Sequence, residues 1–449
     1  MSMRRATSRW RLLAIVAAAI VVAGCMRGAS TASSKVPAAS VAVSPPASAS
    51  SPAVTPAPLP STPSAPPTTP VAPATVASAS QAGDAWQPVP HPASIVDVQF
   101  QDVTWTGTRF VALGFNQFLD SPDGLTWNVQ PGIVANSSLR AVAAGPNGVV
   151  AVGSLNDRSS SWFSPDGLTW TASSTGFLMA QAGASTVAYS ASDGGLDSAE
   201  VTDVVETGDG WLAVGRQDSS PCASDCGTAP IRALVWTSPD GLRWTRVADQ
   251  ASLGGGGMDT VVRGGPGFVA AGNAAGVAAI WTSTSGSIWS RVPDREMFHP
   301  RPGPNARDQL TTAMGAASGH GVVVVVGSDN GAQDIGFDNG VRAWWSLDGR
   351  TWDEAAAQPF AEDQMWGAAS TAAGFLATGP SGEPGCLGGI WASTDGRAWR
   401  CVASETTFAG FSACAAAASS SVEVVVGFAD TGDDEDPTTR GAAWWRAVP

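Results

Sequence analysis

Trp162-Phe-Ser164-Pro-Asp-Gly167-Leu-Thr-Trp170 decides how this chain folds, because its pattern occurs six times. The other copies are Ser121-Pro-Asp-Gly124-Leu-Thr-Trp127, Ser238-Pro-Asp-Gly241-Leu-Arg-Trp244, Ser283-Thr-Ser-Gly286-Ser-Ile-Trp289, Ser346-Leu-Asp-Gly349-Arg-Thr-Trp352 and Ser393-Thr-Asp-Gly396-Arg-Ala-Trp399. Ser opens a tight turn, Pro presets φ in three copies, and Gly takes the left-handed conformation that closes a hairpin. Each copy therefore joins two antiparallel strands. Trp162, Trp236, Trp281, Trp344 and Trp391 stand two residues before the Ser, so large rings lie on both strands of most hairpins. The turn glycines are 43, 74, 45, 63 and 47 residues apart, a unit of just over forty residues with insertions in two places.

A second pattern precedes each hairpin: an apolar run, a glycine-bearing turn, and another apolar run ending in Gly. Val142 to Gly153, Val262 to Gly272 and Ala373 to Gly379 are examples. These runs supply two more strands, so each unit is a four-stranded antiparallel sheet, and that repeat at this period predicts an all-β propeller. Complete copies number six, the alternative blade count. A seventh is split: Val424 to Gly427 and Gly441-Ala-Ala-Trp444-Trp445 supply its second and third strands, while Trp86-Gln-Pro-Val-Pro90 matches the fourth strand Trp289-Ser-Arg-Val-Pro293. The expected fold is a seven-bladed propeller whose last blade is closed by the N-terminal strand, which leaves no sheet edge open at the seam.

The Ser-x-Asp-Gly-x-Thr-Trp turns resemble the Asp-box repeats of sialidases and related propellers, from Trp86 to Pro449. They have one residue fewer between Asp and Gly than the usual box. The resemblance implies that the boxes are structural and lie opposite the ligand-binding face. It also implies a search for sialidase chemistry, namely an arginine triad, a Tyr–Glu nucleophile pair and an acid/base Asp. The chain has one tyrosine, Tyr189, between blades, and no Arg-Ile-Pro segment ahead of the first box. The resemblance thus supports the fold and not the activity.

Ahead of the repeats, Arg4, Arg5, Arg9 and Arg11 precede the apolar run Leu12 to Val22 and then Val22-Ala23-Gly24-Cys25. That is the order of a secretory signal peptide, and the run is too short for a permanent membrane span. Its ending resembles the lipobox of bacterial lipoproteins, which implies a diacylglycerol thioether on Cys25 and a lipid anchor. The expected domains are residues 1–25 as signal peptide, 26–80 as stalk and 81–449 as propeller. The stalk is built largely from Ala, Ser, Thr, Pro and Val, too little apolar surface to fold, and at ~3.1 Å per residue it could reach on the order of 150 Å. From residue 81 onward the chain has 18 Arg, no Lys and 38 acidic residues, a net of −20 that should repel nucleic acid and anionic membranes.

Apart from Cys25, five cysteines cannot all pair. Cys222 with Cys226, and Cys386 with Cys401 across the sixth hairpin, are the expected disulfides. Cys414 falls thirteen residues before its second-strand glycine, as Met314 does, at a position expected to be apolar in the other copies. It is expected to be a buried thiol.

No Gly-x-Ser-x-Gly motif is present, and His91, His299 and His320 are the available bases. His299 stands among Asp294, Glu296 and Arg301 in a long insertion between blades. Asp334 and Asp338 lie in one acidic loop and Asp433 to Asp436 in another, neither with the spacing of a calcium loop, so no cofactor is expected and calcium is the only candidate ion. Long connections fall on the face opposite the boxes, where Tyr189, Asp294, Glu296, His299, Arg301, Asp334 and Asp338 are the candidate ligand residues. The leading expectation is a non-catalytic surface lipoprotein that binds an extracellular protein or glycan. The alternative is a carbohydrate-active enzyme using two loop carboxylates drawn from Asp294, Glu296, Asp334, Asp338 and Glu383. A quinone-dependent dehydrogenase is weaker, because calcium ligands and stacking tryptophans for it are not assignable.

Overall fold

A computed structural model describes residues 86–90, 95–131, 135–177, 198–218, 232–301, 310–330, 340–357, 364–380, 386–403, 408, 410–430 and 439–448. These form seven sheets of four antiparallel strands, the sixth extended by Ala356–Ala357, which pairs parallel to its fourth strand. The innermost strands follow one another around a ring: Phe100–Trp105, Ser137–Gly145, Ser198–Glu206, Gly257–Gly264, Leu310–Gly319, Gly367–Thr371 and Phe411–Ala418, the last lying against the first. The fold is the seven-bladed propeller that the repeats predict.

The seam is closed as the split copy requires. Gln87–Pro88 pairs with the third strand of the last blade, Thr439–Ala447, with Gln87 opposite Trp445 and Pro88 opposite Trp444. Trp86 is buried there, with the Arg446 guanidinium 4.8 Å from its ring.

Each box is held by its own polar groups. In the fifth blade the Ser346 hydroxyl accepts the Gly349 amide at 2.8 Å, and Asp348 Oδ1 accepts the amides of Arg350 and Thr351 at 2.8 and 2.7 Å. The Trp352 indole donates to the Gly349 carbonyl at 3.0 Å. Gly349 has φ 71°, and a Cβ there would lie 2.8 Å from Pro266 and 3.1 Å from Val269 of the preceding blade. Glycine is thus demanded both by conformation and by the close approach of the neighbouring sheet. The fourth blade keeps the Ser283 contact to Gly286 but lacks the carboxylate.

In five blades the glycine that ends the second-strand run answers a β-bulge. In six blades the innermost strand has one extra residue near its start, at Gln101, Arg140, Thr202, Asp259, Met314 and Cys414. Opposite the bulge the partner backbone turns inward, so a Cβ on Gly153, Gly215, Gly272, Gly327 or Gly427 would fall about 2 Å from a carbonyl oxygen. Freed amides find buried carboxylates. Asp102 accepts from Val103 and from Val142 of the next blade, at 2.9 and 2.8 Å, and Asp203 accepts from Val204 and from Val261 of its next blade, at 2.8 and 2.9 Å.

Cys386 and Cys401 are joined, with Cα atoms 5.5 Å apart. The expectation for Cys414 is corrected: it is buried, but it is disulfide-bonded. Burial alone does not distinguish a thiol from a half-cystine. The premise of a generally apolar position is corrected as well, since Gln101, Arg140, Thr202 and Asp259 are its counterparts.

Candidate functional site

Strand polarity separates two faces. Turns between first and second strands, and the boxes between third and fourth, lie at one end of every sheet. There the first-to-second turns have only two to four residues. The second-to-third connections, and those between blades, emerge at the opposite end. Of these, the second-to-third connections range from two residues, as between Ala274 and Val277, to thirteen between Asp218 and Arg232. Length therefore varies on the face opposite the boxes, which concentrates the candidate site there.

The insertion between the fourth and fifth blades is fixed to the scaffold by one buried guanidinium. A short 3-10 turn, Glu296–Phe298, buries Phe298 against Trp344, with ring centroids 5.9 Å apart. Arg342, on the third strand Gly340–Ser346 and 1% exposed, donates to the carbonyls of Met297 and His299 at 2.5 and 3.0 Å. It also donates to both Asp329 carboxylate oxygens at 2.9 Å, and Thr311 donates to that carboxylate at 2.6 Å. Glu354 Oε1 lies 2.8 Å from Arg301 and 3.2 Å from Arg342 Nε. The paired charges position the loop, since burying a guanidinium is costly unless it is paired with a carboxylate.

On that loop His299 Nε2 lies 3.0 and 3.1 Å from the two oxygens of Asp294, both side chains being solvent-exposed. Among the described residues, no Ser, Thr or Cys hydrogen-bonds His299, so no nucleophile is coupled to it. Glu296 is exposed, and Arg301 faces Glu354. The structure thus brings His299 to Asp294 and places Arg301 on the same loop. Tyr189, Cys25, Cys222, Cys226, Asp334, Asp338 and Glu383 lie outside the described residues.

A second charged array lies nearer the ring axis, on the starts of innermost strands and the end of one second strand. Arg140 of the second blade pairs with Glu200 of the third; Arg216 donates from Nε to Glu200 at 3.0 Å and from Nη1 to Asp259 of the fourth blade at 2.8 Å. Across the ring the equivalent bulge positions hold Met314 and Cys414, which pack with Trp366. The bulge positions are therefore polar or charged in blades one to four and apolar in blades five and seven. Sequence reasoning missed this array. Aligning all seven second-strand glycines would have found it, because Arg140 and Asp259 each lie thirteen residues before one, and Arg216 directly follows one. Among the described residues, no three His, Cys, Asp or Glu side chains gather as metal ligands would.

No family model matches the chain, and no curated protein does. Solved structures resemble it at low identity. A streptogramin B lyase is 9% identical, over 81% of this chain and 98% of the lyase, with a TM-score of 0.48. The Neurospora crassa Pan2 WD40 domain is 10% identical, over 81% of this chain and 96% of its own, with a TM-score of 0.42. A Trypanosoma rangeli sialidase is 13% identical, over 72% of this chain and 55% of its own, with a TM-score of 0.39. At these values nothing of their activities is carried to this chain.

Proposed function

We propose that this protein is a surface-displayed lipoprotein, anchored through Cys25, whose propeller binds an extracellular glycan or protein without transforming it. One observation carries the reading: connections on the box face are short and serve the scaffold, whereas those on the opposite face range from two to thirteen residues between second and third strands. Variation confined to one face is how a rigid scaffold supports recognition. Binding of the purified protein to cell-envelope polysaccharides and to secreted proteins tests it. Replacing the connection 331–339 with the two-residue turn of the fourth blade should weaken binding, whereas Ile288→Ser on the box face should not. Equal loss from both changes would sink the assignment of the face.

A second reading, a carbohydrate-active enzyme, is favoured by the exposed Asp294–His299 pair beside Glu296. Turnover of a panel of aryl glycosides that disappears in Asp294→Asn, in a variant that still melts like the parent, would put this reading in place of the first.

A further inference from the structure

The direction of a single strand determines which face of the propeller is turned outward. In the last blade, Val422 follows the turn between first and second strands and pairs with Ala447, so the third strand ends at the box face. Val448 confirms that placement by donating its amide to the Ser421 carbonyl, within the same turn, at 2.8 Å. Gln87 pairs with Trp445, Pro88 with Trp444, and the Val89 amide reaches the Ala443 carbonyl at 2.9 Å. From Gln87 to Val89 the chain therefore climbs away from the box face. The first described residue, Trp86, therefore lies at the box face, and the chain enters the last blade from there.

We infer that the tether attaches on the Asp-box face, so that this face meets the envelope when the propeller is drawn against it and the opposite face, carrying the charged rim and the long connections, is presented to partners. The inference rests on the tether proposed above and adds to it the orientation of the binding surface. It also gives the boxes a place: a face of short turns, each locked by its own Ser and Gly, can lie against the cell envelope with no recognition surface lost.

The test compares two cysteine probes on the fourth blade. Ala275→Cys lies in the exposed turn between Ala274 and Val277, on the outward face, and Thr284→Cys lies in the exposed box turn. Both are made in the full chain and in a chain lacking residues 30–80, which brings the propeller close to its anchor. Labelling by a bulky poly(ethylene glycol) maleimide is timed on intact cells and on detergent-released protein. In the shortened chain, Thr284→Cys should label several-fold more slowly on cells than when released, while Ala275→Cys labels equally fast in both. Equal slowing of both probes, or slower labelling of Ala275→Cys, would overturn the inference.

Membrane fractionation reports the tether separately. Where the shortened chain is found in the soluble fraction, the anchor reading fails, and the face is decided by coupling that chain to beads through an N-terminal biotin. The same asymmetry between probes then supports the orientation set by the strand, and its reversal or absence overturns it.

Discussion

Two residue types carry most of the repeat's information, and each acts through geometry that a single copy does not disclose. Six of the seven second-strand glycines face a backbone oxygen, but Gly114 meets the Val98 side chain at 3.1 Å instead. Gly327→Ala would place its Cβ 1.9 Å from the Thr312 carbonyl and should cost about 3 kcal/mol or prevent folding, whereas Gly114→Ala should cost about 1 kcal/mol or less. Chemical denaturation of both variants checks this, and similar losses would show that the facing carbonyl does not explain the glycines. The box aspartates make the second case. The amides of Thr351 and then Arg350 hold Asp348 down to about 2, and those of Thr169 and Leu168 lower Asp166. At Asp123 burial pushes upward, yet the amides of Thr126 and Leu125 prevail and the net shift is downward. A depressed folded-state pKa means stability that is fully present above the ordinary carboxylate range and is lost as pH falls through the folded value. Asp348→Ala should therefore melt below the parent at neutral pH, with the gap closing between about pH 4 and pH 2. A gap independent of pH would show that the carboxylate's charge is not what holds the turn. The Ser-x-Asp-Gly signal was legible because its hydrogen bonds are local; the reason for the second glycine was not, because it lies on another strand.

At the scale of elements, the strands were readable from the sequence and their connections were not. Apolar alternation and turn residues locate strands, but nothing local announces that Arg342, inside a strand, reaches out to hold the carbonyls of Met297 and His299. The buried ion pair is structural: removing one partner strands the other in a desolvated site. Arg342→Met should destabilise by about 3–5 kcal/mol, because Asp329 is left without its guanidinium while 4% exposed. The double variant Arg342→Met with Asp329→Leu should recover a large part of that loss, since the unpaired charge is then gone. Limited proteolysis within 294–301 should follow the same order, fastest in the single variant. If the double variant is no more stable than the single one, the loop is held by Phe298 packing rather than by the charges. The same limit of local reading explains Cys414. Its burial followed from register, but its bond did not, because register does not name a partner for a half-cystine.

For the whole molecule, the blade count depended on recognising one tryptophan out of place. Trp86 could be read as a fourth-strand residue because Trp289-Ser-Arg-Val-Pro293 supplies the template, and the pairing of Gln87 with Trp445 reproduces that of Asp353 with Trp345 in the fifth blade. The charged rim escaped detection for the opposite reason. Its members come from three blades, and no template predicts which blades carry charge. Closure by a strand that is not covalently continuous with its blade makes a strong prediction about connectivity. In the fifth blade Trp345 is joined to Trp352 by Ser346-Leu-Asp-Gly-Arg-Thr351, and Trp445 and Trp86 occupy the corresponding positions in the last blade. Joining Trp445 directly to Trp86 through Ser-Pro-Asp-Gly-Leu-Thr should thus create a seventh box. New ends can be opened after Gly255, which is exposed on the opposite face and has no atom within 4 Å of the position a Cβ would take. Because the permutant lacks Arg446, it also carries Glu423→Val, matching Val323 opposite Ser346 in the fifth blade, so that no buried carboxylate is left unpaired; it loses the contact with the Trp86 ring but gains a covalent hairpin, which removes the entropy of holding a free strand in place. It should fold to a monomer with a melting temperature close to that of the parent, whereas the linear chain lacking residues 84–90 should aggregate as its last blade exposes an open edge. Circular dichroism and sedimentation of the two variants decide the matter. A permutant that does not fold, beside a truncated chain that does, would mean that the ring does not need the strand at Gln87.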